Sequence, residues 1–392
     1  MTEKLYYQDS HLTAFRAKIL RFEELAGGRI AVVLDRTAFF PEGGGQHADT
    51  GRIGEMRVED VREKNGEILH IIAFGTEAEC AVGTEVSCEL DREVRFRRMQ
   101  NHSGEHIVSG LIHGLYGYEN VGFHMGRDAM TIDFSGPLTW EQCLEVESRA
   151  NAVVRDNLPV RPFFPSPEEL AALEYRSKKE LTGEVRIVEI PGVDRCACCA
   201  PHVKQTGEVG IIKFLSCEKH KNGVRTELVC GLDALDVFNI FQRNVTGISN
   251  LLSAERGAVS EAVEHLIAER DALKYRQVAL EREVIAAIAE RIPETIGNLV
   301  LFRDPDLNEA SRRELVNLLT DRCGGLAAVF AGSDEAGYQY IIGSRHLDLR
   351  RGAKEINAAI LGRGGGRPEM IMGSCRASEE EIRRYFSLQL SY

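Results

Sequence analysis

The stretch that most constrains this chain is Cys196-Ala-Cys-Cys-Ala-Pro-His202, which sets a thiol and an imidazole, Cys198 and His202, four positions apart. Zinc binds thiolate and neutral imidazole and takes four ligands, so this pair is half of a tetrahedral site. The other half lies upstream. Asn101-His-Ser-Gly-Glu-His-Ile-Val-Ser-Gly-Leu-Ile112 reads as a helix that puts His102 and His106 on one face, one turn apart, as a chelating pair must be. Each half alone has a plainer reading, a surface histidine pair or buried thiols. Both halves in one chain make chance a poor explanation, and zinc is the expected cofactor.

At 392 residues the chain exceeds one ordinary domain and suggests about two to four. Its ten cysteines are scattered apart from the 196–199 cluster, unlike the framework of a small secreted disulfide protein. The N-terminus is polar and no run approaches a membrane span, so a cytoplasmic protein with reduced thiols and no membrane partner is expected. A net charge of −12 opposes bulk nucleic-acid binding, yet basic clusters exist. They are Arg92, Arg95, Arg97 and Arg98; Arg176, Lys178 and Lys179; Lys213, Lys219, Lys221 and Arg225; and Arg345, Arg350, Arg351 and Lys354. Each fits a solvated face as well as a binding patch.

The expected fold class is α+β multidomain. Residues 1–90 carry strand-like runs at Ile30–Leu34, Val58–Val61 and Ile68–Ile72 between turns at Gly27-Gly28, Asn65-Gly66 and Gly83, a small β-barrel. Within it, Gly43, Gly44 and Gly45 free the backbone for a close approach, and Gln46 offers both a donor and an acceptor. A flexible hairpin loop is the plainer reading. Residues 91–235 form an α+β zinc-containing domain: the two-histidine helix, a hairpin of Val121–Gly126 with Met130–Phe134, and a helix from Glu141 to Asn157 capped by Thr139 and stopped by Pro159. Pro167 to Lys179 follows as a helix, with strands at Val185–Ile190, Gly210–Ser216 and Thr226–Cys230. On the hairpin, His124 faces the metal cavity or simply packs.

Residues 236–293 read as a long helical arm, ended by Pro293. Leu252, Val259, Leu266, Leu273 and Leu280 recur every seven residues, the period of a coiled coil. An internal helical hairpin and an intermolecular pairing both satisfy this pattern. Residues 294–392 alternate strand and helix as a separate α/β domain. Strands are expected at Leu299–Phe302, Ala327–Ala331 and Tyr338–Ile342, and helices at Glu309–Cys323, Ala353–Leu361 and Glu379–Gln389. Between its last two helices, Gly362-Arg-Gly-Gly-Gly-Arg-Pro368 reads as a glycine loop suited to phosphate, with Gly364, Gly365, Gly366 and Arg367 as contacts.

Three motifs together carry a resemblance. His-Ser-Gly-Glu-His at 102–106, Cys-Cys-Ala-Pro-His at 198–202 with Thr206-Gly207-Glu208, and Pro-Glu-Gly-Gly-Gly-Gln at 41–46 with Asp49-Thr50-Gly51 resemble the editing domain of alanyl-tRNA synthetase and its free-standing relatives, the AlaX proteins. The glycine run at 362–368 looks like the glycine motif of the C-terminal domain these synthetases share with DHH-type phosphoesterases. The likeness covers essentially the whole chain, which opens directly with the β domain, as a long-form AlaX protein does.

The resemblance implies hydrolysis in trans of mischarged tRNA(Ala), mainly seryl and also glycyl esters, with zinc on His102, His106, Cys198 and His202. It places Gln46 and its glycines at the tRNA acceptor end, and the C-terminal domain at the tRNA elbow or in a homodimer. Two departures stand out. The synthetase form has Cys-Gly-Gly-Thr-His, whereas Cys196 and Cys199 add thiols here and stay open as alternatives to Cys198. Glu105 lies in a segment where the family has Thr-Ala-Thr.

Zinc would lower the pKa of a bound water or polarise the ester carbonyl, or, closed by four ligands, orient the substrate amine. Rejecting the alanyl ester needs a site that hydrogen-bonds the seryl hydroxyl, and His124, Gln46 and Thr131 are the candidates. Glu105 is the candidate general base. A non-catalytic zinc-containing tRNA-binding protein is the alternative. A zinc peptidase lacks its His-Glu-x-x-His, and a phosphoesterase its Asp-His-His.

Overall fold

The computed structural model describes residues 1–25, 29–72, 81–177, 184–303 and 307–388. The Gly27-Gly28 turn, Cys80, Lys178, Lys179 and Gln389 lie outside these. The chain divides into two compact units, Met1–Gly247 and Ile248–Tyr392.

In the first unit, β1 (Ala14–Glu24), β2 (Ile30–Leu34), β3 (Gly51–Ile53), β4 (Met56–Lys64), β5 (Glu67–Ile72) and β6 (Glu85–Leu90) pair in the order β1-β2-β5-β4-β3-β6 and close into a barrel. Its interior is filled by Ile19, Val32, Leu34, Ile53, Met56, Val58, Val61 and Ile68, all without exposed surface. Burying each such side chain is worth about 1.5–3 kcal/mol.

The barrel hands the chain to α1 (Arg92–Tyr116), and the joint is made by a cation. Arg95 is buried and paired with Asp49, and its guanidinium also donates to the Ser10 carbonyl at 2.9 Å. Arg97 holds Asp233 at 2.6 Å and Asp236 at 2.7 Å. Arg98 donates to the Ala48 carbonyl, so three of the four arginines in this basic cluster are structural rather than a solvated face.

After α1 come β7 (Asn120–Met125), β8 (Met130–Phe134), α2 (Trp140–Asp156), β9 (Arg161–Phe163), α3 (Pro167–Ala172), β10 (Ile187–Ile190), β11 (Asp194–Ala197), β12 (Ile212–His220) and β13 (Gly223–Cys230). They form a four-stranded sheet, β12-β13-β8-β7, and a three-stranded one, β9-β10-β11. Thr139 caps α2 in a capping box with Gln142, a contribution of about 1 kcal/mol. The helix expected over 167–179 stops at Ala172. Beyond it the backbone of Arg176 turns aside to β11, accepting from Ala197 N and donating to Arg195 O, so its polar groups are satisfied without a helix.

α4 (Gly231–Leu252) follows, then α5 (Val259–Arg291). The seven-residue row crosses a break here. Leu252 ends α4, Ser253 takes φ of 50°, and a short turn precedes α5, so Leu252 does not share a helix with Val259. From Val259 the row runs along α5, where Leu266, Leu273 and Leu280 are half exposed.

The second unit contains β14 (Leu299–Arg303), α6 (Glu309–Thr320), β15 (Ala327–Ser333), β16 (Gly337–Gly343), α7 (Leu349–Ala359), β17 (Gly362–Arg367), β18 (Met370–Cys375) and α8 (Glu379–Leu388). The sheet order is β14-β15-β16-β18-β17, with β14 parallel to β15 and the other pairs antiparallel. One face packs Ile285 of α5 with Leu315, Val316 and Leu319 of α6; the other packs Ile356 of α7 and Phe386 of α8.

This sheet corrects one expectation. Gly362–Arg367, read as a loop, is an edge strand paired residue by residue with Met370–Cys375. Its glycines serve contact rather than flexibility: a Cβ on Gly364 would lie 2.2 Å from Met372 O and 2.3 Å from Tyr340 Oη. Gly364, Gly365, Gly366 and Arg367 are all exposed.

Candidate metal centre

α1 carries His102 and His106 on one face, and the turn after β11 brings Cys198 and His202 against them. The ligand atoms of these four residues lie within 4.8 Å of one another. Cys198 Sγ is 3.5 Å from His102 Nε2 and 3.4 Å from His202 Nε2. A tetrahedral zinc with ordinary Zn–S and Zn–N bonds separates such atoms by about 3.5 Å, so the residues fit the ion.

Each imidazole is oriented through its other nitrogen. His102 Nδ1 donates to Gln46 Oε1 at 2.9 Å, His106 Nδ1 to Asp194 Oδ2 at 2.9 Å, and His202 Nδ1 to Ser103 Oγ at 3.1 Å. This leaves three Nε2 atoms for a metal, the arrangement that fixes tautomer and ring direction in zinc sites. Arg176 Nε holds the far oxygen of Asp194 at 2.8 Å. Arg186, buried, donates to the carbonyls of Cys198 and Ala200 at 2.9 Å each and so shapes the ligand turn.

Electrostatics separates the three thiols left open by the sequence. Burial pushes Cys198 up, but the neighbouring His102 and His202 outweigh it and hold the thiol well below its ordinary value. Burial pushes Cys196 and Cys199 up to about 11. Of the three, Cys198 is the thiol whose surroundings favour the thiolate form. Burial pulls His202 down to about 3. Burial also opposes charge on His106, but its bond to Asp194 overrides this and holds it well above the ordinary value. Cys196 also lies near His106 and Asp194, but His106 Nδ1 is already committed to that carboxylate.

Gln46 reaches this centre because Gly43-Gly44-Gly45 turns tightly beneath it, with Gly43 and Gln46 exchanging backbone bonds at 3.1 and 3.0 Å. Gly45, at φ of 84°, presses on β7, and a Cβ there would lie 2.5 Å from Phe123 Cδ1. Phe123 in turn packs its ring 5.2 Å from that of His102. Gln46 is buried and its Nε2 has no hydrogen-bond partner among the described residues.

Glu105 is buried beside the cluster, held by Ser109 at 2.8 Å and by Asn120, with Oε2 3.7 Å from His106 Nε2. His124 and Thr131 are not brought to it. They form a cross-strand pair, while Phe123 pairs with Ile132, and alternation puts the two pairs on opposite faces. His124 is exposed and meets His47, ring centroids 6.0 Å apart. Gly364, Gly365, Gly366 and Arg367 belong to the second unit.

Sequence reasoning missed Asp194, Ser103, Arg176, Arg186 and Phe123. Ser103 adjoins a ligand and Asp194 precedes the cysteine cluster, but no spacing rule marks a residue that acts only through another's side chain.

The family model described as tRNA synthetases class II (A) matches residues 1–94, and that of the threonyl and alanyl tRNA synthetase second additional domain matches 185–225. Alanyl-tRNA editing protein AlaX-L of Pyrococcus horikoshii is 32% identical, covering 97% of this chain and 96% of its own. Alanyl-tRNA editing protein Aarsd1-A of Xenopus laevis is 32% identical over 66% of this chain and 63% of its own. The alanine–tRNA ligase of Archaeoglobus fulgidus is 28% identical over 95% of this chain, which spans only 42% of that enzyme. With near-complete mutual coverage of AlaX-L and both family models in place, the chain belongs to the long-form AlaX family of alanyl-tRNA editing proteins.

Proposed function

We propose that this chain is an aminoacyl-tRNA deacylase, cleaving the ester between a wrong amino acid, serine chiefly and glycine also, and tRNA(Ala). The observation that carries the reading is the cluster of His102, His106, Cys198 and His202 with the buried Gln46 Nε2, unpartnered among the described residues, beside it. When bound, zinc supplies Lewis-acid polarisation in this site. Gln46 divides its amide: the carbonyl fixes His102, and the N–H₂ is a donor for the ester oxygen as charge develops there. One such donor is typically worth about 2.7–4 kcal/mol of barrier. Glu105 takes the proton of the attacking water. Gln46, the one candidate for the seryl hydroxyl that touches the cluster, also provides the hydrogen bond that favours serine over alanine.

In this reading residues 1–90 and 91–235 hold the acceptor stem, 236–293 form the arm, and 294–392 hold the tRNA elbow through Arg363 and Arg367 on the edge strand. A second copy covers the exposed Leu266, Leu273 and Leu280 of α5, giving a homodimer. No helix of the described residues is long and apolar enough to cross a membrane.

Four protein donors leave a closed set, which favours one second reading: a zinc-stabilised protein that binds tRNA without hydrolysing it. Release of labelled serine from Ser-tRNA(Ala), with Ala-tRNA(Ala) and Ser-tRNA(Thr) as controls, separates the two. Hydrolysis of the first alone supports the deacylase; intact substrate with folded, zinc-loaded protein supports the second reading.

A further inference from the structure

The segments that build the metal centre also line a cleft of about 380 Å³, formed among others by His47, Val94, Arg98, Met125, Arg127 and Met130. Three chain segments share both sites. Gln46, His102 and Phe123 face the metal side, and their near neighbours His47, Asn101 and Met125 line the cleft. The cleft is therefore built on the same segments that carry the candidate centre.

The cleft has an apolar floor and a cationic rim. Met125 and Met130 are buried in the floor and Val94 is partly exposed. Arg98 is fixed at the rim by the Ala48 carbonyl, and Arg127 has no hydrogen bond or ion pair among the described residues. Asp233, the lining carboxylate, is held by Arg97 at 2.6 Å. Arg98 is also paired with Asp49 at 3.7 Å, so the guanidinium left without a counterpart among the described residues is that of Arg127, in a chain of net charge −12. An exposed guanidinium above methyl groups suits a nucleotide, with ribose and base on the floor and phosphate on the fork. His47, exposed, extends the rim.

We infer that this cleft binds a phosphodiester of the single-stranded 3′ end of the tRNA, with Arg127 as its principal phosphate contact and His47 beside it. The inference rests on the deacylase reading and names where the strand enters. It gives the cleft one job, holding the strand so that the terminal ester reaches the donor cluster; Arg127 is a positioning residue.

The test compares Ser-tRNA(Ala) with 3′-seryl-adenosine, which carries the ester but no phosphate, for the native protein, Arg127→Glu and Arg127→Lys. The expected result is at least a tenfold fall in the ratio of kcat/KM for Ser-tRNA(Ala) to that for seryl-adenosine in Arg127→Glu, carried by KM, with Arg127→Lys restoring most of it. Affinity for an oligonucleotide ending in CCA, measured by fluorescence anisotropy at several salt concentrations, should weaken in step, its log–log salt slope falling by about 0.7 for one lost phosphate contact on a single strand. An unchanged ratio, or equal losses on both substrates, overturns the inference. If the native protein hydrolyses neither substrate, the deacylase reading fails, and the cleft stands or falls on the oligonucleotide: loss of binding in Arg127→Glu upholds it, and unchanged binding or none by the native protein refutes it.

Discussion

Two glycine runs, Gly43–Gly45 and Gly362–Gly366, look alike as text and do opposite things in the fold. The first turns tightly with two residues at positive φ, at 61° and 84°, and delivers Gln46 to a buried cluster of metal-ligand type. The second lies flat as an exposed edge strand, its glycines admitting a neighbouring strand and the Tyr340 hydroxyl. The difference teaches that a glycine run says only that something comes close. Whether it is a buried polar side chain or a second strand is decided by what the rest of the chain brings there.

Substitutions at the two runs should therefore diverge. Gly45→Ala combines a strained backbone with a Cβ driven into Phe123, and should lower deacylation at least 100-fold by unseating Gln46, as read by serine release. Asp194→Asn keeps the shape but weakens the support of His106, and should lower zinc affinity about 10–100-fold in a chelator competition. Gly364→Ala should destabilise the second unit by about 1–3 kcal/mol in urea unfolding, with zinc content unchanged. Gly365→Ala, whose Cβ would meet nothing within 4 Å, should stay within about 0.5 kcal/mol of the native protein. Equal effects at Gly45 and Gly365 would erase the contrast between the runs.

What the sequence made legible follows from the range of the signals. His102 with His106, and Cys198 with His202, announce themselves by helical spacing and a short turn, and the fold does gather the four. Asp194, Ser103 and Arg186 act through hydrogen bonds to other residues, a relation set by tertiary packing that leaves no period. His124, which the sequence leaves between cavity and packing, pairs with Thr131 across the hairpin, and Phe123, its neighbour, takes the inward face. Beyond the site, β1 at Ala14–Glu24 was missed although Ala17 and Ile19 alternate inward, because charged residues fill the outward positions. The strand at Gly362–Arg367 was missed because glycine has low strand propensity and its partner, Met370–Cys375, went unread. The seven-residue row held within α5 but not across Ser253, whose left-handed backbone no periodicity announces.

The central claim, a deacylase built on a zinc held by Cys198 and three histidines, is tested most directly by measuring zinc content and serine release on the same preparations of native protein and Cys198→Ala. The account predicts about one zinc per native chain with rapid release from Ser-tRNA(Ala), and loss of both in the folded variant. A folded Cys198→Ala that keeps its zinc and hydrolyses at the native rate would contradict it.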